Sequence, residues 1–150
     1  MCFKDKITWG RFLGTAVAYT ALAYVVHTLG AILTMGYYQM PEYFSVWSKI
    51  MMPQAGPPPM SFTLYSLLFG LITALIFTYI YILLKDNLGS GTLVQKGLRY
   101  GSIVFAIGAL SGMLMTILLI NLPLGLIVEW AIEMLVINLL GGIMVAKMVK

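Results

Sequence analysis

Two glutamates and a histidine are the residues best suited to chemistry in this sequence. Glu129 and Glu133 stand four apart in the apolar stretch 123–146, and His27 stands alone in an apolar run near the N-terminus. A spacing of four puts both carboxyls on one side of a helix. Counted at ~1.5 Å per residue from the ends of the expected helices, Glu129 lies about 9 Å deep, His27 about 12 Å and Glu133 about 15 Å. All three fall at similar depth from the same end, so they can meet. Desolvation favours the neutral acid and an adjacent imidazolium favours the carboxylate, so such a cluster could bind a proton or a cation. The alternative is structural: each group neutral or hydrogen-bonded, reaching Tyr24, Thr28, Ser111 or water. Ionisable groups at membrane depth are costly and count as functional candidates by default.

Other chemistries find little support. There is no P-loop, GxSxG, HExxH or dinucleotide fingerprint, and one histidine cannot build a paired haem site. Met35, Met40, Met51, Met52 and Met60 surround one loop, and thioethers favour Cu(I). Methionine is also an adaptable apolar filler, and that reading is preferred. The single cysteine, Cys2, rules out an internal disulfide and any CxxC scheme. The expectation is a non-enzymatic protein without cofactor, metal or catalytic residue.

The elements that must position these groups follow from composition. Of 150 residues, 61% are apolar and 9% charged, whereas about a quarter are charged in soluble domains. Such a chain calls for a bilayer as solvent, and backbone pairing there leaves only helices or a closed barrel. The apolar runs are continuous rather than alternating, which selects helices. The expected fold is all-α, an integral membrane four-helix bundle forming one domain over residues 1–150. Its helices are expected at about 9–35, 60–84, 98–121 and 123–146, with an interfacial helix at about 41–52 carrying Phe44, Trp47, Ile50 and Met51 on one face.

Orientation follows from the basic residues. Lys4, Lys6, Arg11, Lys85, Lys96, Arg99, Lys147 and Lys150 flank one end of the expected helices, and only Lys49 lies at the other. Short basic loops stay in the cytoplasm, so both termini are expected there. The net charge of +4 is then a topology signal and not a nucleic-acid surface. The basic start resembles a signal peptide, but its apolar run continues past Ala21-Leu22-Ala23, so it reads as a retained anchor. Tyr37, Tyr38, Tyr43 and Trp47 at one edge, with Trp9 and Tyr100 at the other, fit aromatic belts.

Small residues mark expected helix contacts, since lipid tails do not drive helices together. Helix 1 offers Ala16, Thr20, Ala23, His27, Gly30 and Thr34, with Val25, Leu29 and Ile32 toward lipid. In helix 3, Gly108 and Gly112 form a GxxxG pair. In helix 4, Asn138, Gly141 and Gly142 lie away from the glutamates, giving that helix two non-lipid faces. Self-association, or contact with other membrane subunits, is expected through one of them.

Three segments carry a resemblance: Val25-Val26-His27-Thr28-Leu29-Gly30, the stretch from Tyr37-Tyr38 to Trp47, and Gly141-Gly142-Ile143-Met144-Val145-Ala146-Lys147. In this layout the chain is similar to small uncharacterised four-helix membrane proteins of bacteria. The likeness spans most of the chain. It implies the fold only and brings no activity or site; the expected location is a membrane, multi-pass, and the bacterial cytoplasmic (inner) one. Small multidrug transporters, by contrast, carry their essential glutamate in helix 1, which has none here.

Overall fold

The computed structural model describes residues 8–54 and 56–149; Cys2, Lys4, Lys6 and Lys150 lie outside them. The described chain is helical, and four helices are long and apolar enough to cross a membrane: α1 (Trp9–Leu33), α3 (Met60–Leu84), α4 (Leu93–Leu119) and α5 (Leu124–Met148). A short α2 (Met35–Tyr38) follows α1. The start of α1, the end of α5 and the α3–α4 loop share one end of the bundle, called here the termini end. The long loop 34–59 occupies the opposite, loop end.

α5 is the central helix. It buries Glu133, Ile137 and Val145 along with Asn138, Gly141, Gly142 and Ala146, and packs along both α1 and α4, while α3 packs mainly on α1. Its two non-lipid faces are therefore both used within the chain. At Gly142 a Cβ would strike the Gly97 carbonyl, and at Gly97 one would sit 2.6 Å from the Gly142 carbonyl oxygen. A Cβ at Gly101 would likewise strike the Asn138 carbonyl, and one at Gly141 the Tyr19 ring. Gly97 and Gly101, four apart on α4, thus bring its backbone into direct contact with that of α5 at Gly142 and Asn138. Asn138, Gly141 and Gly142, expected as helix-packing residues, pack inside the chain: Gly141 meets α1, and Gly142 and the Asn138 backbone meet α4. The Asn138 side chain spends its amide on Met134 of its own helix, at 2.7 Å.

The core lies toward the termini end. Tyr19, Phe77, Tyr81 and Tyr100 form its centre with Ala16, Ala74, Ile137, Val145 and Val149. Phe77 lies 4.6 Å from Tyr19 and 4.7 Å from Tyr100 between ring centroids. Tyr100, expected at a membrane edge, is instead fully buried, and its hydroxyl donates to the Phe77 carbonyl at 2.6 Å. That bond links α4 to α3 across the bundle.

α4 departs most from expectation. It starts five residues earlier than the expected 98, because Thr92 and Gln95 form a capping box: the Gln95 amide donates to Thr92 Oγ1 at 3.2 Å and the Thr92 amide to Gln95 Oε1 at 2.9 Å. From Phe105 to Leu110 it widens into a π-helical stretch before resuming as Ser111–Leu119, and no residue of these two segments is buried. The wider turn rotates the face that carried Gly97 and Gly101, and α4 drifts from α5. Gly108 and Gly112 are consequently exposed, with open space where a Cβ would stand. Among the described residues, neither meets another helix where a side chain would stand.

The expected interfacial helix is also shorter. A 3₁₀ run covers Pro41–Val46 and then stops, because Trp47 is extended at φ −73° and ψ 139°. Ser48 begins a separate turn, its Oγ accepting from the Met51 amide at 3.2 Å. α1 closes at Thr34, whose hydroxyl bonds back to the Gly30 carbonyl at 2.8 Å, and α5 runs two residues past the expected 146.

Candidate functional site

The three candidate residues converge. His27 projects from α1 and Glu133 from α5, with 2.6 Å between His27 Nδ1 and Glu133 Oε2. Glu129, one turn nearer the loop end of α5, brings its Oε1 to the same point beside Gly30 as Oε1 of Glu133. What lets two carboxyls enter the α1–α5 seam is Gly30, three residues beyond His27. A Cβ there would collide with Oε1 of both Glu129 and Glu133. The glycine is buried and lies on the same helix face as His27, so the missing side chain is the space the acids occupy.

Exposure is unequal across the pair. The His27 side chain is 44% exposed and that of Glu133 only 8%. The acid is thus enclosed and the imidazole reaches the outer surface of the bundle. Glu129 has one oxygen, Oε2, buried without a hydrogen-bond partner among the described residues. Such an acceptor is costly to desolvate unless it carries a proton or meets a ligand.

Aromatic side chains close the loop end of the site. Trp130, next to Glu129, donates from Nε1 to the Tyr38 hydroxyl at 2.7 Å. Tyr38 stacks at a tilt on Trp47, with centroids 5.1 Å apart, and Trp47 meets Trp130 edge-on at 6.3 Å. Tyr38 lies beyond the end of α1, and burial holds its phenol above the ordinary value, against the hydrogen bond from Trp130 and with both glutamates adding to the rise. The phenol therefore keeps its proton. Tyr38 and Trp47, expected in an outer belt, pack with Trp130 as a half-buried aromatic lid at the loop end of the site. Trp47 Nε1 is buried and unpartnered among the described residues.

The expected partners of the acids are otherwise engaged. Tyr24 is exposed, Thr28 donates to the Tyr24 carbonyl at 2.7 Å, and Ser111 donates to Ala106 in its own helix at 3.1 Å. No group of three His, Cys, Asp or Glu among the described residues is spaced to hold a metal ion. The sequence reading missed Gly30 as the space for the acids, and Tyr38 and Trp47 as their cover. The first had a signal, since a glycine three residues after the lone histidine shares its face. The second had none, because it depends on how the loop folds back.

Fold and site together define an all-helical protein with four membrane-length spans and a buried His–Glu–Glu cluster under an aromatic lid. Compared with known proteins, the chain matches no protein family, no curated protein and no solved structure.

Proposed function

We propose that this chain is a non-enzymatic, multi-pass membrane protein with both ends in the cytoplasm, working as a scaffold or accessory subunit of a membrane assembly. The observation that carries the reading is the outward reach of His27. An imidazole bonded to a buried acid, 44% exposed at membrane depth, meets neither water nor a hydrogen-bonding group in lipid tails. A second membrane chain covering this face of α1 supplies what lipid does not. The uncovered half of α4, with Gly108 and Gly112 open, is a further surface on which helices can approach. The asymmetry of basic residues supports the orientation, and the proposed setting is a bacterial cytoplasmic membrane.

Native mass spectrometry after extraction in mild detergent tests the reading. The expected result is a mass above one chain, reduced to the single chain by His27→Leu or by Tyr24→Ala, which strips the exposed ring from the same face of α1. A lone monomer, with no cross-linked neighbour in the intact membrane, overturns it.

A second reading rests on a separate observation, the buried unpartnered oxygen of Glu129 beside Glu133. Two carboxyls so close and so poorly hydrated suit a proton or cation that is taken up and released, as in a small oligomeric coupled transporter or channel. Reconstituted vesicles with an imposed pH gradient test it. Glu133→Gln is expected to abolish gradient dissipation while leaving the helices intact, and a gradient that the wild type does not dissipate excludes it.

A further inference from the structure

At the termini end, a groove of about 470 Å³ opens on the surface between the α3–α4 loop and the first turns of α4. Asn87, Leu88, Leu98, Arg99, Ser102 and Ile103 line it. One part is built around a fixed cation. Arg99 Nη1 donates to the Leu88 carbonyl at 2.9 Å and to the Ser90 carbonyl at 2.8 Å. Gly89, at φ +79°, passes so close that a Cβ there would stand 3.0 Å from the same nitrogen. The loop therefore clamps one edge of the guanidinium and leaves the Nε and Nη2 donors for a ligand. Lys85 and Lys96 belong to the same loop and first turn, joined by a bond from Lys96 Nζ to the Lys85 carbonyl at 3.3 Å. Against this set of cations stands one acid, Asp86.

The other part of the groove is apolar and points along α4. Leu98 and Ile103 are exposed, and the line continues through Ile107, Leu110 and Leu114, which are also exposed. From Ile103 onward these positions follow one another at intervals of three or four residues down α4, across its π-helical stretch. A polar anchor at the end of the helix thus grades, through Ser102, into an apolar track running down the span.

We propose that this groove binds one anionic phospholipid, its phosphate on Arg99 and Asn87 and an acyl chain along the Ile103–Leu114 stripe. A free anion would use only the cationic part, and a zwitterionic lipid would carry its own cation toward Arg99 and the lysines. Basic pockets beside spanning helices at the membrane surface select acidic headgroups for the same reason. The proposal rests on insertion of the chain in a bilayer, but on neither its sidedness nor its partners.

The test is lipid titration of the purified full chain in detergent, read by native mass spectrometry, with phosphatidylglycerol against phosphatidylcholine of the same acyl chains. Phosphatidylglycerol is expected to bind about tenfold more tightly, and Arg99→Gln to cut that preference to about twofold or less. Lys49→Gln, at the loop end, is expected to leave the preference unchanged. Because Arg99 also pins the loop, Ser102→Glu gives an independent check: it sets a negative charge in the groove, leaves the loop bonds intact and is expected to cause the same loss. Equal binding of the two lipids by wild type overturns the proposal, as does a preference that survives both groove variants. Displacement of the lipid by millimolar inorganic phosphate also overturns it, by showing a free-anion site. A chain that stays soluble without detergent contradicts membrane insertion instead, so the two failures are distinguishable.

Discussion

At the scale of residues, the His27–Glu133 contact is the point where chemistry and stability meet. An enclosed acid that loses its partner retains its desolvation cost without the compensating hydrogen bond. His27→Leu is therefore expected to destabilise the detergent-solubilised protein by about 1–3 kcal/mol. Replacing both residues by leucine is expected to recover much of that loss, because a pair exchanged for apolar side chains leaves no orphaned group. Thermal unfolding of the two single variants and the double variant gives the coupling directly, and strict additivity would show that the contact contributes nothing. Gly30→Ala probes the same site from beneath. Its methyl group would occupy the place of both Oε1 atoms, so the acids are expected to leave the seam, and an infrared carboxyl band that is identical to wild type would contradict this. The sequence made the depth of the three groups legible, because helix rise fixes depth along a span. It did not reveal their azimuth. Which neighbour an acid meets depends on how α1 and α5 are rotated against each other, and Gly141 on Tyr19 and the glycine seam with α4 hold that rotation from a distance.

At the scale of elements, α4 behaves as two helices joined by a π-helical stretch. Its first half presses backbone to backbone on α5 through Gly97 and Gly101, and its second half buries nothing. Gly101→Leu is expected to wedge the two helices apart and leave little folded protein after extraction. Gly112→Leu is expected to change monomer stability by no more than about 0.5 kcal/mol, as at other unpacked surface positions. Circular dichroism melts separate the two, and equal damage from both would mean that the GxxxG pair packs after all. A loss of assembly with Gly112→Leu and no change in melting would instead locate a partner on this half. The spans themselves were legible because continuous apolar runs leave a chain few alternatives. The contact glycines were not, since glycine spacing marks what a helix permits and not what faces it. Thr92 and Gln95 carried a readable capping signal three residues apart, and it places the start of α4 where the apolar run alone does not. The short interfacial helix failed for a tertiary reason: Trp47 gains more by packing on Tyr38 and Trp130 than by continuing a helix along the surface.

At the scale of the whole molecule, the fold divides polar work between its two ends. Arg11, Lys85, Lys96, Arg99 and Lys147 belong to the termini end, while the loop end carries Lys49, Glu42 and the aromatic lid. Each span crosses once between these ends, and α1, α3, α4 and α5 each have the length for it. With four crossings, the loop 34–59 and the α3–α4 loop must lie on opposite sides of any membrane that the bundle spans. On the proposed orientation, the α3–α4 loop is expected in the cytoplasm, by its basic residues. Single cysteines at Ser48 and Ser90, in a Cys2→Ser background, read this out without disturbing the core, since both positions are exposed. An impermeant maleimide added to intact cells is expected to label Ser48→Cys at once and Ser90→Cys only after the membrane is opened. Reversed labelling would keep the four spans and invert the orientation. Equal labelling of both positions in intact cells would contradict the spanning arrangement itself. The same experiment also reports on the His–Glu–Glu cluster, which lies in the half of the bundle nearer Ser48. If Ser48 is outside, protons reaching that cluster by the shorter route come from the external medium.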